Sequence, residues 1–216
     1  MSAVVIMTKA PQAGRSKTRL CPPLSSEQAA ALAEAALSDT LAAVARCGAD
    51  RRVVALSGEA GAWLPPGFEV IGQRGDGLDE RLAAAFSDVG EPAVIIAMDT
   101  PQVTAAQLDD ALARLGRHDV VLGPTVDGGY WCVGLADPHL DVTTGVPMSR
   151  SDTWDHQVAR IAALGLSLAV VDELTDIDEI ADAVAVAALI PDSALAACVA
   201  AALGGGPASI DASPAG

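Results

Sequence analysis

"PAVIIAMDTPQ", residues 92–102, opens on an unbroken apolar run from Ala93 to Met98 and closes on Asp99-Thr100-Pro101. A short run that is apolar on both faces and rich in β-branched residues predicts a strand in the middle of a sheet. Pro101 fixes a turn directly after it. Outward from this run the same kind of segment recurs at 3–7, 52–56, 68–72, 119–124, 130–135 and 166–171. Between the runs lie longer helical patterns at 27–47, 78–89, 105–115 and 151–165. Ser25 with Gln28, and Thr104 with Gln107, have the spacing of capping boxes at two helix starts. Strands alternating with helices predict a three-layer α/β/α sandwich with a mostly parallel central sheet. A single domain is expected over 1–203, with a last helical region that starts near Asp178 and breaks at Pro191. The small, polar stretch 204–216 is expected to be a disordered tail.

Composition narrows the function classes. The chain has 216 residues, 51% hydrophobic and 19% charged, which is enough for one domain with a core. A net charge of -15 argues against nucleic acid, and 3% aromatic residues leave no stacking platform for single strands. The start "MSAVVIM" has no basic segment, and Asp182, Pro191 and Asp192 interrupt the apolar stretch 181–203. A cytoplasmic protein without a membrane span is therefore expected. Cys21, Cys47, Cys132 and Cys198 are far apart and predict free buried thiols. His118, His139 and His156 have no zinc-ligand spacing.

In open α/β sheets the ligand lies beyond the carboxyl ends of the strands, so the segments to search are 8–20, 73–77, 99–103, 125–129 and 172–178. The first, "TKAPQAGRSKTRL", is not a Walker loop, because Gly14 sits three residues before Lys17 and Ser16 precedes that lysine. It does hold both lysines of the chain, and with Arg15 and Arg19 four of its 13 basic residues. Lys9, Arg15, Lys17 and Arg19 together point to phosphate oxygens; the alternative is a solvated turn. Asp99, at the end of the central strand, is placed to hold Mg²⁺ beside such phosphates, or merely to cap the turn. In "TVDGGYW", Asp127, Gly128 and Gly129 suit ligand hydroxyls and a close backbone approach, and equally a β-hairpin. In "LTDIDEI", Asp176 and Asp178 offer a further metal carboxylate, with Asp178 also suited to an N-cap. Gly75, Asp76 and Gly77 precede a helix start that can bind an anion or a polar head group.

These segments resemble, in order, those of the bacterial glycosyltransferase-A-like proteins of the domain-of-unknown-function 2064 group. The likeness rests on "KAPQAGRSKTRL", "GDGLDERL", "AMDTPQVT", "LGPTVDGGYWCVGL", "GVPMSRSDTW" and "LTDIDEI", and runs from about residue 3 to 185. Members carry labels such as radical-SAM/selenodomain-associated transferase 1 or arsenosugar-biosynthesis glycosyltransferase. The resemblance implies the nucleotide-diphospho-sugar transferase fold, which also holds molybdenum-cofactor and phospholactate guanylyltransferases. It implies that Lys9, Gly14, Arg15, Lys17 and Arg19, with Gly75, Asp76 and Gly77, hold a nucleotide donor, and that Lys17 and Asp99 are catalytic. Asp127, Gly128, Gly129 and Ser149 would contact donor or acceptor. Asp99 would bind Mg²⁺ or Mn²⁺ with Asp176 or Asp178, and the likeness does not choose between those two. The turn Asp99-Thr100-Pro101 departs from the Asp-x-Asp usual in glycosyltransferases of this fold and resembles the nucleotidyltransferase side. Glycosyl transfer from a nucleoside-diphosphate sugar to a small-molecule acceptor is the first expectation. Nucleotidyl transfer to a phosphorylated acceptor is the second, and a non-catalytic nucleotide- or sugar-binding module the third.

Overall fold

The apolar run after Pro92 forms strand β4 (Ala93–Ala97), buried along most of its length. In this computed structural model, which describes residues 1–204, β4 lies at the centre of a seven-stranded sheet. Its neighbours are β1 (Ala3–Lys9), which runs parallel to it, and β6 (Tyr130–Leu135), which runs antiparallel. β2 (Arg51–Ser57) and β3 (Glu69–Gly72) extend one side; β5 (Val120–Pro124) and β7 (Leu168–Val170) extend the other. The order is β3-β2-β1-β4-β6-β5-β7, with β6 reversed against all the rest. That reversal brings the start of β6 to the edge where the other strands end.

Strand periodicity of two divides the core. Val4, Ile6, Val54, Val94 and Ile96 pack on one face against α1 (Ser26–Arg46) and α3 (Ala105–Leu115). Val5, Val53, Ala55 and Ile95 pack on the other against α2 (Leu78–Val89) and α4 (Thr153–Ala163). The result is the expected α/β/α sandwich. A further cluster joins Leu32 and Ala36 of α1 to α5 (Ile180–Leu189) and α6 (Ala194–Gly204). The last helical region is thus two helices, separated at 190–193, and β7 is shorter than its apolar run. Cys47 and Cys132 are buried as expected, while Cys21 and Cys198 are only partly so; all four are free thiols. Among the described residues no helix is long and apolar enough to cross a membrane. The expected tail lies, beyond Gly204, outside the described residues.

Candidate active site

Four connections meet at the carboxyl edge of the sheet. The first follows β1. Backbone N–H groups of Arg15 and Ser16 donate to Gln12 O, Gly14 takes a φ of 74°, and a single 3-10 turn spans Thr18–Leu20. Leu20, fully buried against the α1–α5–α6 cluster, anchors the far end. Lys9 and Arg15 are exposed and, among the described residues, pair with no carboxylate. Lys17 behaves differently. Its backbone is left-handed, with φ 49°, and its side chain is only 10% exposed. The ammonium lies 2.7 Å from Asp99 Oδ1 and also donates to the carbonyl of Ile177. Arg19 Nη1 reaches Asp178 Oδ2 at 2.7 Å.

The second connection begins at Asp99, whose carbonyl accepts from Ile177 N at 2.9 Å. Backbone and ion pair together tie three loops into one unit: 8–20, 99–103 and 172–178. Thr100 beneath it is 1% exposed, and its Oγ1 has no hydrogen-bond partner. The third connection is the hairpin turn between β5 and β6. Asp127 Oδ1 accepts from Thr125 Oγ1 at 2.5 Å and from Gly129 N at 2.9 Å. Packing alone already requires glycine at 128. A Cβ there would stand 2.1 Å from the carbonyl oxygen of Ser151, where the turn docks on the start of α4. The fourth connection leads into α5. Glu179, not Asp178, is its N-cap, and Asp182 Oδ2 accepts from both Asp178 N and Glu179 N. The Asp178 side chain is thereby left for Arg19.

Asp127, Asp176 and Asp178 come together, each offering an oxygen within 4.8 Å of the others. Burial, and then the charges of Asp127, Asp178 and Asp99, push the Asp176 carboxyl up to about 6. Three convergent carboxylates form a hard-oxygen donor set suited to Mg²⁺ or Mn²⁺. Asp99, with one oxygen already held by Lys17, stands beside this trio. Asp127, which the sequence suggested for ligand hydroxyls, stands within it.

A cleft runs past these groups. One part, about 440 Å³, is lined by Lys9, Arg15, Lys17, Arg19 and Arg81 among others. The other part, about 220 Å³, shares Arg19, Asp99, Ser149 and Asp178 with the first and adds Asp127, Gly129 and Asp176. Ser149 is, with Lys17, one of two non-glycine residues at positive φ among the described residues, and both line the cleft. Gly14, Gly75, Asp76, Gly77 and Gly128 are not on its walls. At 75–77 Glu80 Oε2 accepts from Asp76 N at 2.8 Å, Asp79 and Glu80 place two acids in the first turn of α2, and its N-cap, Gly77, supplies no side-chain cap. The cation that this segment contributes is Arg81, held by the carbonyls of Gly75 and Asp76. Arg81, Thr100, Tyr130 and Met148 were missed from the sequence. Only Arg81 had a signal there, as a cation just after a searched segment.

A seven-stranded α/β/α sandwich in this order, with a charged cleft across its carboxyl edge, is the nucleotide-diphospho-sugar transferase fold. The chain belongs to the family described as "uncharacterized protein conserved in bacteria (DUF2064)", whose model matches residues 29–150. A solved structure from Desulfovibrio desulfuricans G20, provisionally named a nucleotide-diphospho-sugar transferase, is 25% identical with a TM-score of 0.79, over 92% of this chain and 96% of that one. A nucleotidyl transferase from Methanothermobacter thermautotroptrophicus is 15% identical with a TM-score of 0.59, over 89% and 99%. A Mycobacterium tuberculosis H37Rv protein in complex with manganese is 20% identical with a TM-score of 0.50, over 82% and 91%. No curated protein matches the chain.

Proposed function

We propose that the chain is a metal-dependent transferase acting on a nucleotide-activated donor, and that it moves a glycosyl group from a nucleoside-diphosphate sugar to a small-molecule acceptor. The observation that carries this reading is the cleft itself, with cations lining one part and a carboxylate trio lining the adjoining part. Lys9, Arg15 and Arg19 hold the donor diphosphate, with Arg81 across the cavity. Asp127, Asp176 and Asp178 hold Mg²⁺ or Mn²⁺, beside Asp99. Such an ion, when bound, offsets negative charge on the departing diphosphate. The bond from the anomeric carbon to the diphosphate oxygen breaks, the nucleoside diphosphate leaves, and an acceptor oxygen takes the carbon as its proton departs. Arg19, held by Asp178, and Arg81, held by the carbonyls of Gly75 and Asp76, are already oriented before the reaction to stabilise the charge that develops on the leaving group. The likeness to the Desulfovibrio protein supports this direction.

Two observations favour nucleotidyl transfer as a second reading. The turn after β4 offers one carboxylate, Asp99, rather than two. Lys9, Arg15, Lys17, Arg19 and Arg81 line one cavity, a set sufficient for a triphosphate. Calorimetric titration of nucleotide sugars and nucleoside triphosphates, each with and without Mg²⁺ or Mn²⁺, separates the two. Tighter metal-dependent binding of nucleotide sugars, with sugar-bearing product seen by mass spectrometry, is the expected result. A triphosphate preference with pyrophosphate release would establish the second reading. Binding without turnover would leave a non-catalytic module. Turnover that survives Asp99→Ala at saturating Mg²⁺ would remove Asp99 from the mechanism.

A further inference from the structure

The cleft changes sign along its length. Among the described residues, at the first end Lys9 and Arg15 carry positive charge that no carboxylate offsets, and Arg81 is held only by carbonyls. At the far end the balance reverses. Arg150, the one cation confined to that end, is spent on Asp152 through two bonds, at 2.7 and 2.9 Å. Arg19, shared by both ends, is paired with Asp178. Asp127 and Asp176 have no cationic partner among the described residues.

Beyond the carboxylates and the paired Arg19 and Arg150, the far end is walled by uncharged groups. Tyr130, Met148 and Trp131 supply apolar surface. Tyr130 OH makes only long contacts, 3.3 Å to Gln157 Oε1 and 3.4 Å to Met148 Sδ. Thr100, 99% buried by its 1% exposure, lines the same cavity with Oγ1 unpartnered. A buried hydroxyl without a partner loses free energy that a ligand hydroxyl or amine would restore. A phosphate placed here would meet no free cation, and would face Asp127 and Asp176. A divalent ion on the three carboxylates, with Arg19 on Asp178, brings that set to about neutral and leaves no surplus positive charge for an acceptor phosphate.

We infer that the acceptor bound at the far end is a hydroxyl- or amine-bearing molecule without phosphate, a polyol or amino-polyol, and that phosphorylated acceptors are disfavoured because their phosphate finds no free cation there and faces Asp127 and Asp176. The inference rests on the transferase reading, and it selects glycosyl transfer to a neutral oxygen or nitrogen over nucleotidyl transfer to an acceptor phosphate. Leaving a phosphate without a cation in a partly dehydrated cleft is a strong means of discrimination.

The test uses acceptors of one carbon skeleton and different charge: glucose, glucosamine and glucose 6-phosphate. The full chain is first saturated with Mg²⁺ and a nucleoside diphosphate, and that binding is confirmed by calorimetry. Saturation-transfer NMR then compares the three sugars at physiological salt. The expected order places glucose and glucosamine ahead of glucose 6-phosphate by at least about tenfold in affinity. Met148→Arg, which adds a free cation to this wall, should raise glucose 6-phosphate relative to glucose. Tighter binding of glucose 6-phosphate to the unaltered chain would overturn the inference, as would failure of all three to bind. Absence of nucleoside diphosphate binding in the calorimetric step would instead count against the transferase reading.

Discussion

Lys17 shows what a sequence does and does not disclose about one residue. Its place in a cluster of cations after the first strand predicts a phosphate ligand, and it does line the cleft. Its ammonium is nonetheless engaged by Asp99 and by the carbonyl of Ile177, 160 residues away in the chain. No local pattern encodes such a contact. The same holds for Asp127, whose turn was legible from Asp-Gly but whose company with Asp176 and Asp178 was not. That company makes Asp176 the residue with the clearest pH signature. Its carboxyl titrates near 6 in the folded protein, against 3.8 ordinarily. As pH rises from about 4 to about 6 the unfolded chain loses this proton before the folded chain does, so stability falls across that window. In chelator, Asp176→Asn should therefore raise Tm, by an amount that grows between pH 4 and 6 and is constant above. Added Mn²⁺ should reverse the ranking, because an ion at 100 times its Kd stabilises the unaltered protein by about 2.7 kcal/mol. Thermal scans at four or five pH values check both signs. A variant that gains equally from Mn²⁺ would remove Asp176 from the ion site.

At the level of elements, signals confined to a few residues were read correctly. The Ser25–Gln28 and Thr104–Gln107 spacings are capping boxes in the structure, with both reciprocal bonds present. Residues 93–97 of the apolar run form the central strand, and Asp-Gly marks the β5–β6 hairpin. What escaped was set at long range. Whether a buried strand runs parallel or antiparallel leaves no mark on its apolar pattern, so the reversal of β6 was legible only through its turn. The start of α6 depends on Asp39 of α1, whose carboxylate accepts from Ala194 N at 3.0 Å and Leu195 N at 2.8 Å. Asp182 does similar work at α5, but there it also fixes the backbone of Asp178. The two caps should separate stability from function. Asp39→Ala and Asp182→Ala should each cost about 1 kcal/mol in urea unfolding. Only Asp182→Ala should also weaken Mn²⁺ binding, by about tenfold, since groups that orient metal ligands contribute on that scale. Equal Mn²⁺ affinities by calorimetry would mean that Asp178 is positioned by Arg19 alone.

The whole molecule presents an anionic ligand with a problem, because its net charge of -15 repels nucleotides from almost every direction. Binding then depends on a local field that overcomes the global one. The unpaired cations Lys9 and Arg15, exposed at the mouth of the cleft, are the source of that field. Paired groups such as Lys17 and Arg19 contribute less, because their charge is already offset by Asp99 and Asp178. The balance between the two fields is set by salt. Screening shortens both, yet a ligand a few ångströms from Lys9 and Arg15 loses mainly their attraction, while distant repulsion is already damped. The double variant Lys9→Ala/Arg15→Ala should weaken nucleoside diphosphate binding at least about tenfold, or ~1.4 kcal/mol. Its Tm in the absence of ligand should match that of the unaltered chain, since neither side chain makes an ion pair among the described residues. Raising salt from about 0.05 to about 0.5 M should weaken binding steeply in the unaltered chain and shallowly in the variant. Calorimetry at both salt concentrations measures the two slopes. Parallel slopes would place the donor phosphates away from this loop, and a fall in Tm would show that the pair serves the fold instead.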